Sequence, residues 1–118
     1  MNRPFRYITL ALCLPLAACM MPDRAGSDSV RRGHAVARQS CSGCHQVARD
    51  QSPPALAPGR PAWSRAPSFM EIAEYPNVDR AYLRGLASEF YFPMPAFHLK
   101  ETDQEDVISY ILSLRGQI

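Results

Sequence analysis

Five consecutive residues, Cys41-Ser42-Gly43-Cys44-His45, put two thiols and an imidazole within little more than one helical turn. Thiols three residues apart both reach one edge of a flat macrocycle, so each can form a thioether to a porphyrin vinyl group. His45 then lies beneath the ring and offers a nitrogen to the iron. A bare C-x-x-C also suits a dithiol redox pair, half of a zinc site or a disulfide. The histidine directly after the second cysteine favours covalently attached haem over these.

Haem iron held by one histidine has a sixth position, and five methionines are present to fill it. Met1, Met20 and Met21 sit in the N-terminal segment, and Met70 falls in the first turn of a short predicted helix. Met94 stands between Pro93 and Pro95, which stiffen an extended backbone and remove two donors. Phe90, Tyr91, Phe92 and Phe97 surround it with aromatic area suited to a porphyrin face. Met94 is therefore the expected second ligand, because His/Met ligation is the pattern of haem electron carriers. His98 is its competitor. His34 is expected to be a solvated histidine on a surface helix.

The elements that must position these residues read as helices joined by loops. Ser27, Asp28 or Ser29 could cap a first helix reaching about Gln39, with Val30, Gly33 and Ala37 on one face. Gly33 inside a helix costs about 1 kcal/mol relative to Ala, so it is expected where another backbone comes close. Five prolines and Gly59 between Ser52 and Pro67 make a long loop and exclude a helix or central strand there. Ser68 and Glu71 form a capping-box pattern opening a helix from Phe69 to Tyr75, ended by Pro76. Asn77 can cap another helix, with Tyr82, Leu83 and Leu86 inward. Thr102 and Glu105 repeat the capping-box pattern before a helix from Asp103 to Arg115, striped by Val107, Tyr110, Ile111 and Leu114. Arg115 suits the negative end of that helix, and Gly116 stops it. No segment alternates as a strand, so the fold class is all-α.

The N-terminal end belongs to a different category. Arg3 and Arg6 precede an apolar run from Tyr7 to Ala18, too short for a membrane-spanning helix of about 20 residues and laid out as a secretory signal. Leu16-Ala17-Ala18-Cys19 resembles a bacterial lipobox, whose cysteine becomes the first mature residue and carries lipid. The expected organisation is a signal peptide over 1–18, a lipid-anchor tether over 19–27 and one domain over 28–118, on the periplasmic side of a bacterial membrane. The four cysteines are then accounted for: Cys13 is discarded, Cys19 takes lipid, and Cys41 and Cys44 take haem. Without Arg3 and Arg6, 11 basic residues balance 11 acidic ones. Nothing in that balance selects nucleic acid as a partner.

These features together resemble a class I c-type cytochrome of bacterial type. The likeness rests on a helix with Gly33, then Cys41 to His45, a proline-rich loop, Met94-Pro95-Ala96-Phe97, and a last helix with Tyr110. It implies a small cytochrome c fold of three to five helices and long loops wrapped around one covalent haem c. Cys41 and Cys44 would hold the ring, and His45 and Met94 the iron. In this family the first and last helices cross through a glycine and an aromatic, the places of Gly33 and Tyr110. The family's proline that accepts from the haem histidine usually follows a glycine. Here Pro54 and Pro58 are the candidates, and neither has that glycine. Trp63, Arg60 and Arg65 would meet the haem propionates or stay solvated. The implied activity is one-electron transfer to redox partner proteins such as a dehydrogenase or terminal oxidase. A haem accessory subunit of a periplasmic dehydrogenase or oxidase complex is the alternative. A thiol–disulfide oxidoreductase would need a βαβ framework, of which the chain shows no pattern.

Overall fold

The computed structural model describes residues 24–88 and 99–117. Cys19, Met94, His98 and the aromatics around Met94 lie outside the described residues. Four α-helices and no strand are present among the described residues: α1 (Arg24–Ser40), α2 (Phe69–Glu74), α3 (Arg80–Ser88) and α4 (Glu101–Ser113), with one 3₁₀ turn at Ala62–Ser64. The all-α expectation holds.

The most extensive packing joins α1 to α4. Gly33 makes it possible. A Cβ there would stand 1.9 Å from the carbonyl oxygen of Asp106 and 2.9 Å from Cβ of Tyr110. Hydrogen in place of a methyl therefore lets the two backbones touch. Gly33 and Ala37 are buried, and Val30 packs partly against the same core. Across the contact stand Val107, Ile108, Tyr110, Ile111 and Leu114, all buried, so the predicted stripe of the last helix faces inward. Phe69 and Ala73 from α2, Val78, and Leu83 from α3 complete the core.

Polar groups clasp the same helix pair. The buried Asp106 carboxylate accepts from Ser29 Oγ at 2.5 Å and from Arg32 Nε and Nη2 at 2.6 and 3.0 Å. The Arg32 hydrogen bonds, with Ser29 adding to them, hold the Asp106 carboxyl below the usual carboxylate range. On the other side of α4, Glu105 pairs with Arg80 at 2.8 Å and with Arg84, fastening α3.

Several helix boundaries differ from the sequence reading. Helix α1 begins at Arg24, inside the stretch read as tether, and Ser27 donates to Arg24 O within it instead of capping it. The capping box of α2 is present: the Ser68 N–H donates to Glu71 Oε2 at 2.6 Å and the Glu71 N–H to Ser68 Oγ at 3.1 Å. Helix α3 takes its cap from Asp79, whose Oδ1 accepts the Tyr82 N–H at 2.7 Å, not from Asn77. Leu83 is buried and Leu86 partly so, whereas Tyr82 is 48% exposed. The Thr102–Glu105 box does not form. Helix α4 starts at Glu101 after Lys100, without a side-chain cap, which places Thr102 inside the helix, and the Glu105 carboxylate is taken by the arginines of α3. Arg115 serves the end of α2 rather than its own helix: it donates to Ala73 O at 2.8 Å and also to Val78 O. Gly116, at φ 71°, ends α4 in the left-handed region.

Two outcomes follow from the α1–α4 contact. Gly33→Ala forces the helices apart and is expected to cost about 3 kcal/mol or more, the upper range for overpacking, read by denaturant unfolding. Asp106 has a folded-state pKa below its unfolded value. Its stabilising contribution is therefore complete above about pH 4 and is lost as pH falls through the folded value. Asp106→Asn is expected to be less stable than wild type at pH 7, with the gap closing toward pH 3 in unfolding curves taken across that range.

Candidate functional site

The Cys41–His45 motif is an extension of α1. The Cys41 N–H donates to Ala37 O at 2.9 Å, continuing the helical ladder, and the N–H groups of Cys44 and His45 both turn back to Cys41 O, at 3.1 and 2.9 Å. The two sulfurs thus hang from one tight turn. Neither is in a disulfide; Cys41 is half-buried and Cys44 exposed. Burial, with Cys44 beside it, pushes the Cys41 thiol up to about 11, so it is protonated at neutral pH. No group of three or more His, Cys, Asp or Glu able to hold a metal ion is present among the described residues, so this C-x-x-C meets no second ligand pair for tetrahedral zinc there.

The imidazole is aimed by a carbonyl. His45 Nδ1 lies 2.7 Å from Pro67 O. A carbonyl only accepts, so Nδ1 carries a proton, and in the neutral ring Nε2 is then the nitrogen with the lone pair. No described residue bonds to Nε2. A histidine that binds a metal through one nitrogen almost always donates the other N–H, and this arrangement meets that requirement. Two free thiols on one turn and a tautomer with Nε2 available fit a covalently held haem. The orienting carbonyl is neither Pro54 nor Pro58. Pro54 O is taken by Arg65 Nη1 at 2.6 Å, and the acceptor comes from the residue just before the cap of α2. With no glycine to mark it, and 22 residues from His45, Pro67 gave no local signal.

Behind His45 the core is aromatic. The Phe69 ring lies 5.5 Å from that of His45 and 6.4 Å from that of Tyr110. The Phe69 N–H donates to Gln46 O at 3.0 Å, tying α2 to the residue after His45. Tyr110 reaches from α4 to donate its hydroxyl to Val47 O at 2.7 Å. Val47 is wholly buried. Burial raises the Tyr110 pKa, which keeps the hydroxyl protonated as a donor.

His34 is not the solvated residue that the sequence indicates. Next to Gly33, it is carried against α4 by the close approach: its ring centroid lies 4.9 Å from that of Tyr110, and Nε2 is buried with no hydrogen-bond partner among the described residues. Trp63, in the 3₁₀ turn, is 86% exposed. Arg60 donates to Ser64 Oγ and Arg65 to Pro54 O, both within the loop. Gln51 was not expected at the site at all. Its amide bonds to the backbone of Cys41–His45 at two points and to the Val47 N–H at a third, and no residue type or spacing marked it beforehand.

The sequence model of the family described as Cytochrome c matches residues 30–115. A cytochrome c-552 of Bradyrhizobium diazoefficiens is 30% identical over 104 residues, spanning 88% of this chain and 92% of that protein. No solved structure matches significantly. The chain belongs to the cytochrome c family, as a class I c-type cytochrome with covalently bound haem c. Its function is haem-based electron transfer with redox partner proteins; it is a carrier, not an enzyme.

Tyr110→Phe removes one donor and strands the buried Val47 carbonyl. The expected loss is about 1–3 kcal/mol, the cost of an unsatisfied buried acceptor, measured by unfolding of the haem-loaded protein at neutral pH.

Proposed function

We propose that Cys41 and Cys44 are the thioether attachment points, that His45 Nε2 and Met94 Sδ are the axial ligands, and that the protein is a one-electron carrier held at a membrane by lipid on Cys19. The single observation that carries this is the His45 Nδ1–Pro67 O contact, directly after a C-x-x-C turn with both thiols free. The haem, when bound, supplies an iron couple that changes oxidation state by one electron. The chain's residues do the rest. Pro67 and Phe69 fix the plane of the imidazole, and Tyr110 fastens the turn that bears it. Ligands fixed in this way leave little to rearrange when the charge changes.

For Met94 the support is local sequence. Prolines on both sides stiffen Pro93-Met94-Pro95, and a thioether opposite an imidazole raises the potential. Were His45 and Met94 both to hold the iron, no position would be left for a substrate.

The anchor rests on Leu16-Ala17-Ala18-Cys19 following a short apolar run with a basic start. No helix among the described residues is long and apolar enough to cross a membrane. Cleavage before Cys19 leaves four residues, 20–23, between the lipidated cysteine and Arg24. The domain would be kept close to the periplasmic face of its membrane, at high local concentration near integral redox complexes.

Expressed in a host competent in haem attachment, the peptide containing Cys41 and Cys44 is expected to carry an adduct of about 616 Da, and a peptide without it defeats the proposal. The reduced protein should show low-spin bands, and Met94→Ala should abolish them and admit CO. An unchanged spectrum in that variant removes Met94 from the ligand set. Cys19→Ser should move the protein from the membrane to the soluble periplasmic fraction. A stoichiometric partner that survives detergent extraction would make it a subunit rather than a free carrier.

A further inference from the structure

The backbone of His45 is held as closely as its ring, and a single side chain holds it. Gln51 closes the turn after the haem motif, its N–H donating to Ala48 O at 3.2 Å. Its side-chain oxygen accepts the Val47 N–H at 3.0 Å. Its side-chain nitrogen donates to Ser42 O at 3.2 Å and to His45 O at 3.3 Å. Its main-chain carbonyl accepts Gln46 Nε2 at 2.7 Å.

A carboxamide has two N–H donors and one carbonyl acceptor, and here every one has a partner. The partners also fix which way the amide faces: Val47 N–H can only donate, and the two carbonyls can only accept. One planar group therefore spans the arc from Ser42, between the two cysteines, through His45 to Val47.

We infer that Gln51 is a positioning residue for the haem's histidine ligand. The inference rests on the reading of His45 as an axial ligand, and concerns what sets that ligand's angle. Three restraints meet on His45. Pro67 holds the ring tip, Cys41 O accepts the main-chain N–H, and Gln51 holds the main-chain carbonyl. Without the amide, the peptide after His45 is free to rotate while the ring tip stays on Pro67, and the imidazole plane turns about that contact. Val47 passes the same restraint to the core, because its N–H is held by Gln51 and its carbonyl by Tyr110. A side chain of the same length without hydrogen-bonding groups keeps the packing and removes the brace, so Gln51→Met isolates the effect.

Three measurements on the haem-loaded full chain test this. In wild type, the Val47 amide should exchange slowly with solvent. In Gln51→Met that protection should be lost, the spread of ferric haem-methyl NMR shifts, which reports the imidazole plane, should change, and the midpoint potential should move. Leu114→Ala, a core truncation away from the motif, should lower stability while leaving shifts and potential in place. The inference is overturned by methyl shifts in Gln51→Met that match wild type, or by a Leu114→Ala variant that moves them as far. A Val47 amide already unprotected in wild type overturns it too, even where Gln51→Met fails to mature. Wild type lacking a low-spin, histidine-ligated spectrum would instead sink the ligand assignment, and so the two failures are told apart.

Discussion

A missing methyl group governs this structure. With Gly33 at the crossing, the α1 backbone rests against the Asp106 carbonyl, and a Cβ would overlap that oxygen at 1.9 Å. At this distance α4 delivers Tyr110 across to Val47, and the haem motif, which hangs from the end of α1, is fastened to the opposite end of the chain. Any larger spacing would lift the Tyr110 hydroxyl from its acceptor. The geometry of the site is thus set at a helix crossing eight residues before Cys41.

Asp106 serves that crossing twice. Its main-chain oxygen is what Gly33 approaches, and its carboxylate takes three hydrogen bonds from Ser29 and Arg32. The acid is buried while Arg32 remains largely exposed, so one partner stays partly hydrated and the desolvation cost of a fully buried pair is avoided. Among the described residues Ala37, Val47 and Ala73 are the most fully buried positions, and none is large. A bound haem would add apolar bulk to such a core, and in proteins of this size a cofactor commonly supplies what the chain cannot.

What the sequence made legible was local. The Ser68–Glu71 box forms because both partners lie within one turn and nothing else competes for Glu71. The stripe of α4 and the role of Gly33 were readable from spacing and from the cost of a mid-helix glycine. The Thr102–Glu105 box does not form because the helix begins at Glu101, one residue before Thr102, and the Glu105 carboxylate meets Arg80 and Arg84 of α3 instead of a local backbone N–H. His34 was misread for a related reason. Surface propensity says nothing of a neighbouring helix drawn in by the glycine one residue earlier. Gln51 and Pro67 had no signal, since one works through neutral amide bonds to backbone and the other through a carbonyl that every residue possesses.

That last point bears on how the site behaves. The group that aims His45 is a main-chain carbonyl, and the group that holds its backbone is a carboxamide; neither ionises in the physiological range. A carboxylate in the place of Pro67 would draw the imidazole N–H more strongly, but it would change charge with pH and carry the ligand's basicity with it. Tyr110, the one titratable group among these restraints, is shifted by burial toward its neutral donor form. The groups that hold His45 therefore keep their charge across the physiological range, while the helix clasp at Asp106 depends on an ionised carboxylate. Acid should loosen the scaffold through Asp106 while the carbonyl of Pro67 and the carboxamide of Gln51 stay neutral, because the ionised carboxylate sits at the crossing and uncharged groups surround the imidazole.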